Sequence, residues 1–357
     1  MPGLALLSAG GTGGHLFPAE ALATVLKRRG WRVHLATDHR VDTHARDFPA
    51  EEIHVIPSGT FGKDPVSFAR ALRDLARGYL KARRTVAAIR PQVAVGFGGY
   101  PTVPPMLAAS RFGIPTVIHD QNAVIGRANK FLASRVTAIA TGFPKVKGAE
   151  MFVAKTVETG SPVRESVRRA AGTPYPGRAA GEPFRLLVFG GSQGARFMSD
   201  LVPPAIAVLP EATRRSLRIT QQCRPEDMDR VREAYAQMGV EAALQPFFDD
   251  MPARIAAAHL VVSRSGASTV AELSVIGRPA IMVPLPHALD QDQKANAEVL
   301  ARAGGGWMIE QRDMSPERLA GDLADLVADP GRLAKAAAAA QLIGRPDAAE
   351  KLADLVE

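Results

Sequence analysis

The segment LALLSAGGTGGH, from Leu4 to His15, decides how this chain folds. It begins with a mostly apolar run of strand length, continues into a glycine-rich turn and leads into a segment of helical period. The same order recurs about 180 residues later, where the run from Arg185 to Phe189 leads into GGSQG at residues 190–194. A strand, a glycine turn and a helix open a parallel βαβ unit. The repetition predicts an α/β protein with two doubly wound domains that face one another across a cleft.

Short apolar runs alternate with longer helical segments along both halves, as in parallel sheets with crossover helices. In the first half the predicted strands are Leu4 to Ser8, Arg32 to Ala36, His54 to Ile56, Val93 to Phe97, Thr116 to His119 and Thr137 to Ala140. In the second half they are Arg185 to Phe189, Arg218 to Gln221, Ala243 to Gln245, Leu260 to Ser263, Ala280 to Val283 and Trp307 to Ile309.

The length of 357 residues corresponds to about two domains of roughly 150 residues each. Between the halves, TGSPVR at residues 159–164 and the proline- and glycine-rich segment 172–183 interrupt regular structure. We therefore expect an amino-terminal domain over residues 1–162 and a carboxyl-terminal domain over residues 163–344. Residues 345–357 follow as a last short helix.

Composition excludes several classes of protein. With 46% hydrophobic and 22% charged residues, the chain is globular rather than disordered or fibrous. Its one cysteine, Cys223, excludes an internal disulfide framework and fits a reducing compartment. The sequence has no HExxH, no paired Cys/His spacing and no GxSxG elbow, so we expect no metal and no cofactor. No charged leader precedes the first strand, and the longest uncharged run, Pro91 to Ser110, contains four prolines and three glycines, so no targeting segment or membrane span is expected.

The formal net charge of +8 is concentrated in one stretch. From Thr60 to Pro91, eight basic residues stand against two acidic ones. The same stretch carries apolar residues at three- and four-residue steps, namely Phe68, Leu72, Leu75 and Tyr79. A basic amphipathic helix of this kind either lies on an anionic membrane surface or packs on a sheet with its arginines in solvent. Both interpretations stay open on the residues alone, and no nucleic-acid partner is expected.

Both glycine turns suit phosphate groups, because backbone N–H groups there can approach an anion at the positive end of a helix dipole. Neither turn has the GxGxxG spacing of dinucleotide-binding proteins or the ending of a P-loop, and a tight packing turn is the alternative for the loop at Gly190. His15 follows the first turn directly. An imidazole at that place can accept a proton from a hydroxyl nucleophile near neutral pH, or it can cap the helix.

Three further polar segments follow predicted strands, at the edge where open α/β sheets bind ligands. In SRSGASTVAE, residues 263–272, Glu272 is placed to bond a vicinal diol such as that of a ribose, or it is a solvated helical residue. The segments HDQN at 119–122 and PLPHALDQDQKAN at 284–296 bring amides and carboxylates together, which suits sugar hydroxyls, although a solvated loop is the alternative. Together with the phosphate turns, these segments predict a sugar-nucleotide site.

These motifs, in this order, resemble the MurG family of bacterial UDP-N-acetylglucosamine transferases from end to end. The resemblance rests on GGTGGHLFPA (10–19), GFGGYPT (96–102), HDQNAVIG (119–126), SPVR (161–164), GGSQGA (190–195), FFDDM (247–251), SRSGASTVAE (263–272) and DQDQKANA (290–297). It implies a GT-B fold in which the last helix returns to the amino-terminal domain. It also implies inverting transfer of N-acetylglucosamine (GlcNAc) from UDP-GlcNAc to the 4-hydroxyl of N-acetylmuramyl-pentapeptide on undecaprenyl diphosphate, the step from lipid I to lipid II in peptidoglycan synthesis.

By motif position, the resemblance also implies roles for individual residues. The residues expected to bind the donor are Thr12, Gly13, Gly14, Asn122, Arg164, Ser192, Gln193, Gly194, Phe248, Arg264, Ala267, Glu272 and Gln293. Among them, the Phe248 backbone would hold uracil, Glu272 the ribose and Arg164 the diphosphate. The acceptor diphosphate would meet Gly10, Gly11, Thr12, Gly13 and Gly14. The expected catalytic residues are His15, as the base for the muramyl hydroxyl, and Asp120.

A lipid-tethered acceptor would explain the basic and apolar residues between Thr60 and Pro91. The resemblance implies a peripheral protein on the cytoplasmic side of the inner membrane, with Phe68, Leu72, Leu75 and Tyr79 as its contact patch. The expected partners are UDP-GlcNAc, lipid I, the anionic membrane face and other proteins of cell-wall synthesis.

The chain departs from the family pattern at three positions. The acidic residue after His119 is usually Glu and is Asp120 here, one methylene shorter. Phe248 stands where an aliphatic residue also occurs, which recognition through the backbone would tolerate. Asp292 stands where some relatives carry an amide or a histidine, so it is a weaker assignment than its neighbour Gln293.

Three alternatives remain on the sequence. Another GT-B enzyme, such as a transferase with a different acceptor or a UDP-GlcNAc epimerase, is the first, although the epimerase leaves GGTGGH and HDQN unexplained. A nicotinamide dehydrogenase would need the GxGxxG spacing that is absent here. A basic scaffold for anionic lipid or nucleic acid would have no use for Glu272 among amides.

Overall fold

The computed structural model describes residues 3–10, 13–39, 48–59, 64–179, 181–191 and 194–357, and for residues 65–69 and 289 it describes the backbone alone. The chain divides into two compact units. Unit 1 contains Met1–Arg164 and Arg345–Glu357, and unit 2 contains Glu165–Gly344. The division therefore falls at the end of TGSPVR, two residues after the boundary expected from the sequence, and the last segment belongs to unit 1.

Unit 1 is built on a parallel sheet. Within the described ranges its strands are β1 (Leu4–Ser8), β2 (Arg32–Thr37), β3 (Glu52–Val55), β4 (Val93–Gly96), β5 (Thr116–Asp120), β6 (Ala138–Thr141) and β7 (Thr156–Glu158). They lie in the order β3-β2-β1-β4-β5-β6-β7, and each neighbouring pair is parallel. All residues of β1, β4 and β5 are buried, because a sheet with helices on both faces must be apolar on both sides.

The first helices of unit 1 are α1 (Gly13–Arg28), α2 (Pro65–Ile89), α3 (Val103–Arg111) and α4 (Arg127–Leu132). Apolar residues of α1 recur at helical spacing and pack in one core with the central strands. This core contains Leu7, Leu16, Leu22, Leu26, Val33, Leu35 and Val95. α1 is thereby fixed over the sheet, with its first residues at the carboxyl end of β1.

Unit 2 has a second parallel sheet. Its strands are β8 (Phe184–Phe189), β9 (Leu217–Gln222), β10 (Glu241–Gln245), β11 (Leu260–Ser263), β12 (Ala280–Met282) and β13 (Gly306–Met308). They lie in the order β10-β9-β8-β11-β12-β13. Counted from its own first strand, this is the 3-2-1-4-5-6 order of Rossmann folds, and the first six strands of unit 1 repeat it. The predicted doubly wound fold of each half is confirmed.

The helices of unit 2 are α5 (Glu165–Ala171), α6 (Arg196–Val208), α7 (Glu211–Arg215), α8 (Met228–Gln237), α9 (Met251–Ala257), α10 (Ala267–Ile276), α11 (Asp292–Arg302), α12 (Pro316–Ala328) and α13 (Pro330–Ile343). The proline- and glycine-rich segment before β8 is fastened to this unit by the buried Arg278. The Arg278 guanidinium donates hydrogen bonds to the carbonyls of Thr173, Pro174 and Ala256 at 2.7–3.1 Å. Burial among carbonyls lowers the pKa of Arg278 to about 10.

The last helix, α14 (Ala348–Val356), packs on α1 in unit 1. Its apolar face joins the unit 1 core through Leu352, Ala353 and Val356. At the rim, Arg29 pairs with Glu350 at 3.1 Å, with Asp354 at 2.8 Å and with Glu357 at 2.9 Å. Because partly exposed ion pairs contribute at most about 1 kcal/mol each, the apolar contact carries most of the docking.

Across the part of the chain that the structure describes, every helix is too short or too polar to serve as a transmembrane span.

Candidate active site

Each sheet reverses its strand order at one point, and ligands bind at such switch points in open α/β sheets. In unit 1 the reversal lies between β1 and β4, which lead into the segment up to Gly14 and into Phe97–Thr102 respectively. In unit 2 it lies between β8 and β11. The loops that follow these two strands contain the glycine turn at Gly190 and the segment before α10. The switch points thus coincide with the segments that the sequence marks as candidates.

His15 is the third residue of α1, in the first turn of the helix, and packs against a pair of glycines. Gly98 and Gly99 both have positive φ angles, +89° and +77°. A Cβ on Gly98 would lie 3.3 Å from Cδ2 of His15, and a Cβ on Gly99 would lie 3.6 Å from its Cε1. These glycines therefore permit both the backbone conformation and the close approach of the ring. The GFGGYPT motif marks this loop in the sequence, but the spacing alone does not show that it supports His15.

Asp120 is buried at the end of β5, and its carboxylate organises the loop that follows. Its Oδ1 accepts a hydrogen bond from the Asn122 backbone N–H at 3.1 Å. Its Oδ2 accepts from the Gly126 N–H at 2.8 Å and from the Asn129 side-chain amide at 3.0 Å. A carboxylate with two donors in the loop that follows it and a third on α4 is placed to hold that loop. The geometry favours a positioning role over the proton transfer expected for this residue.

The other residues of HDQN serve packing and presentation. His119 is fully buried, and one ring nitrogen lies 2.9 Å from the Gly160 carbonyl oxygen. Burial lowers the pKa of His119 to about 4, so the ring is neutral at physiological pH. The Gln121 side chain donates to the Phe97 carbonyl at 3.0 Å and ties this loop to the loop after β4. Asn122 is half-buried, which leaves it the member of the motif best placed to meet a ligand.

Arg164, the last residue of the first segment of unit 1, lies over an aromatic ring at the start of α1. Its guanidinium carbon is 3.9 Å from the centre of the Phe17 ring, the geometry of a cation–π contact. Phe17 itself packs against Gly13, where a Cβ would come within 2.9 Å of the ring. The contact brings a cation beside the first glycine turn. Of the other residues expected in that turn, Gly11 and Thr12 lie outside the described residues.

The glycine turn of unit 2 is fastened to the neighbouring strand. Gly190 has no room for a side chain, because a Cβ there would collide with the backbone of Ala195 at the start of α6. Its N–H donates to the side-chain oxygen of Gln222 at 3.0 Å, and the amide nitrogen of Gln222 donates to the Pro246 carbonyl at 3.2 Å. Gln222 thus links the turn to the segment that precedes Phe248. Sequence reasoning did not identify this glutamine.

Of the remaining members of the turn, the structure describes Gly191 and Gly194. Gly191 and Gly194 have positive φ angles of +89° and +66°, which explains glycine at both positions. The Gly194 carbonyl accepts a hydrogen bond from Arg224 at 3.2 Å. Ser192 and Gln193, both expected to bind the donor, lie outside the described residues.

Phe248 follows β10 and is buried. The Arg254 guanidinium lies 4.2 Å from the centre of its ring and bonds Asp250 at 2.7 Å, one helical turn before it. The ring is therefore a packing element of unit 2, and contact of the Phe248 backbone with a base stays a prediction.

In the segment after β11, the guanidinium of Arg264 bonds to protein oxygens, whereas the sequence predicts that this residue contacts the donor. Arg264 is buried, donates to the carbonyls of Val283 and Pro284 at 3.0 and 3.1 Å, and donates to the Gln311 side chain at 2.7 Å. Burial lowers its pKa to about 10. Arg264 therefore braces the exit of β12 rather than offering its guanidinium to a ligand. In contrast, Glu272 is half-buried on α10, which begins at Ala267 beside the switch point.

The DQDQKAN segment is anchored at its base and strained at its tip. The Ser265 hydroxyl donates to the Gln293 carbonyl at 2.8 Å, and the side-chain oxygen of Gln293 accepts from the Leu285 N–H at 3.1 Å. Asp290 and Gln291 both have left-handed backbones, with φ of 57° and 58°. Burial raises the pKa of the neighbouring Asp292. Strain of this kind in non-glycine residues persists where surrounding contacts impose it, often at ligand sites.

α2 presents both apolar and basic residues to solvent. Its buried face is formed by small or β-branched residues, Ala71, Gly78, Ala82 and Val86. Leu72 is 55% exposed and Leu80 is 54% exposed, whereas Leu75 and Tyr79 are half-buried. The side chain of Phe68 lies outside the described residues. Packing on α3 and on the segment after β3 therefore accounts for one face of α2 but not for its exposed leucines.

Two Rossmann-like sheets in one chain, each with a glycine turn and polar loops at its switch point, are the architecture of nucleotide-sugar glycosyltransferases. The chain belongs to glycosyltransferase family 28: residues 5–141 match the model of the family's N-terminal domain and residues 185–352 match that of its C-terminal domain.

Named relatives agree over nearly the whole length. A protein of Rhizobium etli (strain CIAT 652) is 57% identical over 99% of this chain and 95% of its own, and one of Rhizobium meliloti (strain 1021) is 58% identical over the same shares. Both are called UDP-N-acetylglucosamine--N-acetylmuramyl-(pentapeptide) pyrophosphoryl-undecaprenol N-acetylglucosamine transferase.

Solved structures give the same result for the fold. The crystal structure of Acinetobacter baumannii MurG matches with a TM-score of 0.80 and 30% identity, over 100% of this chain and 99% of its own. A UDP-N-acetylglucosamine 2-epimerase from Listeria monocytogenes matches with a TM-score of 0.70 at 14% identity, over 98% of this chain and 94% of its own, which shows a shared fold alone. The predicted family is confirmed, and the roles of individual site residues stay predictions.

Proposed function

We propose that this glycosyltransferase moves GlcNAc from UDP-GlcNAc to the 4-hydroxyl of N-acetylmuramyl-pentapeptide on undecaprenyl diphosphate, with inversion at the sugar carbon. The observation that carries the proposal is the 57% identity over 99% of the chain to a protein named for this reaction. The arrangement of polar loops at both switch points supports it, because the reaction needs one site for a nucleotide sugar and another for a diphosphate-linked acceptor.

In this proposal unit 2 holds the donor. The half-buried Glu272 accepts hydrogen bonds from the two ribose hydroxyls, as acidic residues do in other Rossmann sites. The backbone near Phe248 meets uracil, and the Gly190 turn with the first turn of α6 meets the diphosphate. Gln222 supports this assignment, because it bonds both the turn and the segment before Phe248 and so fixes two donor contacts relative to each other.

Unit 1 supplies the base and the acceptor contacts. His15 accepts the proton of the muramyl 4-hydroxyl as that oxygen forms a bond to C1 of GlcNAc. The bond from C1 to the UDP oxygen breaks on the opposite face, and UDP leaves with the electron pair, which inverts the configuration. Backbone N–H groups at helix starts and the cation of Arg164 stabilise the negative charge that develops on the diphosphates. Asn122 bonds GlcNAc hydroxyls, and Asp120 keeps its loop in place.

The proposed location is the cytoplasmic face of the inner membrane, with α2 as the contact element. Support comes from the exposed Leu72 and Leu80 on a helix of basic character. The exposed apolar surface extends beyond α2, because α2 packs on α3 and α3 packs on α4. Phe112 directly follows α3 and Phe131 lies near the end of α4, and both are exposed. Apolar side chains among basic ones suit a surface of anionic lipid.

Vesicle binding tests the location. Co-sedimentation with vesicles of phosphatidylglycerol and phosphatidylethanolamine should recover the wild-type protein, and Leu72→Ser/Leu80→Ser should bind several-fold less. The matched control is Leu342→Ser, because Leu342 is a highly exposed leucine in unit 2. Equal binding by the double variant and the control would contradict the role of α2.

Transfer of labelled GlcNAc tests the activity itself. Purified protein is given UDP-GlcNAc labelled in the sugar and a lipid I analogue, with undecaprenyl phosphate as the acceptor control. Label in the lipid product with the first acceptor alone is the expected result. Conversion of the label to another UDP-sugar without any acceptor would instead identify an epimerase, and binding of UDP without transfer would assign a different acceptor.

A further inference from the structure

Outside the loops described above, two histidines and a glutamate meet on neighbouring strands. His34 lies on β2, and Glu52 and His54 lie on β3. The parallel register pairs His34 with Glu52 and Ala36 with His54. Side chains alternate between the faces of a strand, so Glu52 and His54 share one face, and the pairing places His34 on it as well. The sequence shows only Glu-x-His in one strand, while the third residue lies about 20 residues away.

The ligand atoms of these side chains are close together. Nδ1 of His34 lies 3.0 Å from Nε2 of His54. A carboxylate oxygen of Glu52 lies 3.8 Å from Nδ1 of His34, and one atom from each of the three residues fits within 4.8 Å of the other two. Two nitrogens on a tetrahedral Zn²⁺ with bonds of about 2.0–2.1 Å lie about 3.3 Å apart. The nitrogens therefore need to separate by only a few tenths of an ångström.

We propose that His34, Glu52 and His54 bind a divalent transition-metal ion, with Zn²⁺ as the best fit. Two imidazole nitrogens and one carboxylate oxygen are a donor set that zinc accepts. The side chain of His34 is 6% exposed and that of Glu52 is 59% exposed. The ion would thus be held from the protein side by the histidines and would keep a position open to water on the side of Glu52.

The charges around the cluster are mixed. Burial lowers the pKa of His54, and Lys81 of α2 is close enough to lower it further and opposes a cation. The negative charge of Glu52, on the same face as His54, offsets the positive charge of Lys81. The neighbouring carboxylate of Glu51 is already paired with Arg32 at 2.9 Å. The attraction of the ion to Glu52 and to the two imidazoles must therefore exceed its repulsion from Lys81. This balance predicts moderate affinity and selectivity for zinc over magnesium.

Such an ion would tie the edge strand β3 to β2. β3 is the outermost strand at this end of the sheet, and its residues are mostly exposed. Edge strands carry little burial of their own, so a cross-strand metal adds a bond where apolar contact is weakest. Zinc should therefore raise the thermal midpoint of the full chain, because a ligand that binds only the folded state stabilises it.

The test is metal binding by the full chain after treatment with EDTA and dialysis. Calorimetric titration with ZnCl₂ should give one site per chain, and Co²⁺ in its place should give the visible absorption of a four-coordinate ion. Magnesium should give neither heat nor a thermal shift. The absence of Zn²⁺ uptake by the wild-type protein would overturn the proposal and leave the short His34–His54 contact as a hydrogen bond.

Variants assign the ligands. Glu52→Gln and His54→Gln should each lower zinc affinity by about tenfold or more, since even second-shell losses cost about 10- to 100-fold. His287→Gln, at an exposed histidine of unit 2, is the matched control and should bind zinc as the wild type does. Circular dichroism checks that each variant is folded. Wild-type affinity in both ligand variants would contradict the site.

Discussion

The loop that follows β5 in unit 1 and the loop that follows β12 in unit 2 are fastened by different means. The first is closed by a buried carboxylate, Asp120, which accepts three hydrogen bonds within about ten residues of chain. The second is anchored at its base by Ser265 and by the exit contacts of Arg264. At its tip the Gln291 side chain donates to the Pro286 carbonyl at 3.3 Å, and Asp290 and Gln291 have left-handed backbones. One loop is preorganised by its own side chains, and the other stores strain.

The difference fits the tasks proposed for the two units. A loop beside a catalytic base must hold reacting groups within a few tenths of an ångström, which favours an internal network. A loop that closes on a nucleotide sugar can keep a strained backbone, because contacts with the bound ligand stabilise that backbone.

His15→Ala tests the chemistry of unit 1. Loss of a general base should reduce kcat by about 10²- to 10⁴-fold, because proton transfer contributes on that order. The affinity for UDP-GlcNAc, measured by calorimetry, should stay within a few-fold of wild type, because His15 has no assigned donor contact and the uracil and ribose contacts are assigned to unit 2. Equal losses in kcat and donor affinity would remove His15 from the role of base.

Asp120→Ala tests the preorganised loop. Three buried or half-buried N–H donors would lose their acceptor, which should lower the free energy of unfolding by about 3 kcal/mol. Activity should fall as well, since the loop carries Asn122. Chemical denaturation measures the first effect and steady-state kinetics the second.

Asp120→Asn separates positioning from proton transfer. This variant keeps the size of the side chain but replaces one acceptor by a donor. If Asp120 only positions its loop, kcat falls while the shape of the pH–rate profile is retained. Loss of one limb of that profile would instead assign Asp120 to proton transfer.

The buried histidines predict acid sensitivity in both units. Burial lowers the pKa of His119 in unit 1 and of His259 in unit 2 to about 4. In the unfolded chain these rings take up protons below about pH 6.5, so stability is full above that pH and falls as the pH decreases to 4. The loss from the fully buried His119 should be about 3 kcal/mol.

Urea titrations between pH 7 and pH 4 measure this effect. His119→Gln should lower stability at pH 7 yet flatten the dependence on pH, and His259 should account for part of the slope that remains. An unchanged slope in His119→Gln would show that other groups cause the acid sensitivity.

Glu272→Ala tests the donor side. Loss of two hydrogen bonds from a carboxylate to the ribose should raise KM for UDP-GlcNAc by about 10- to 100-fold, with a smaller change in kcat. A donor analogue that lacks both ribose hydroxyls should be bound equally by variant and wild type. Unchanged donor affinity in Glu272→Ala would refute the ribose role.

Gln291→Gly tests the strain in the second loop. Glycine adopts a left-handed backbone without penalty, so relief of strain should raise stability by about 0.5–1 kcal/mol. Gln291→Ala is the control, because it removes the side chain but keeps the Cβ. Equal stability of the two variants would show that the loop is not strained at this residue.

The local parts of the fold are predictable from the sequence. The predicted β1 coincides with the observed Leu4–Ser8, because an apolar run before a glycine turn sets both ends of the strand. The short edge strand β7, Thr156–Glu158, is missing from the predicted strands. It has three residues and no apolar pattern, and only its backbone pairing with β6 defines it.

The candidate site is predictable in position but not in side-chain direction. Motifs place His15, Asp120 and Arg264 at sheet edges, where the structure finds them. They do not show that Arg264 turns toward the carbonyls of its own unit or that Asp120 accepts from two N–H groups of its loop and from Asn129 of α4. The partners of Arg264 lie 19 to 47 residues from it, so their contact depends on the tertiary fold. The donors to Asp120 lie within nine residues, but only the folded loop brings them to one carboxylate. Gln222 is missed because its two partners lie 32 and 24 residues from it.

Hydrogen–deuterium exchange of the full chain with and without UDP tests the division of tasks between the units most directly. We expect UDP to slow exchange in unit 2, at residues 190–195, 246–251 and 264–272. Exchange in the loops 97–102 and 119–126 of unit 1 should change little. Protection of the unit 1 loops without protection around Glu272 would contradict it.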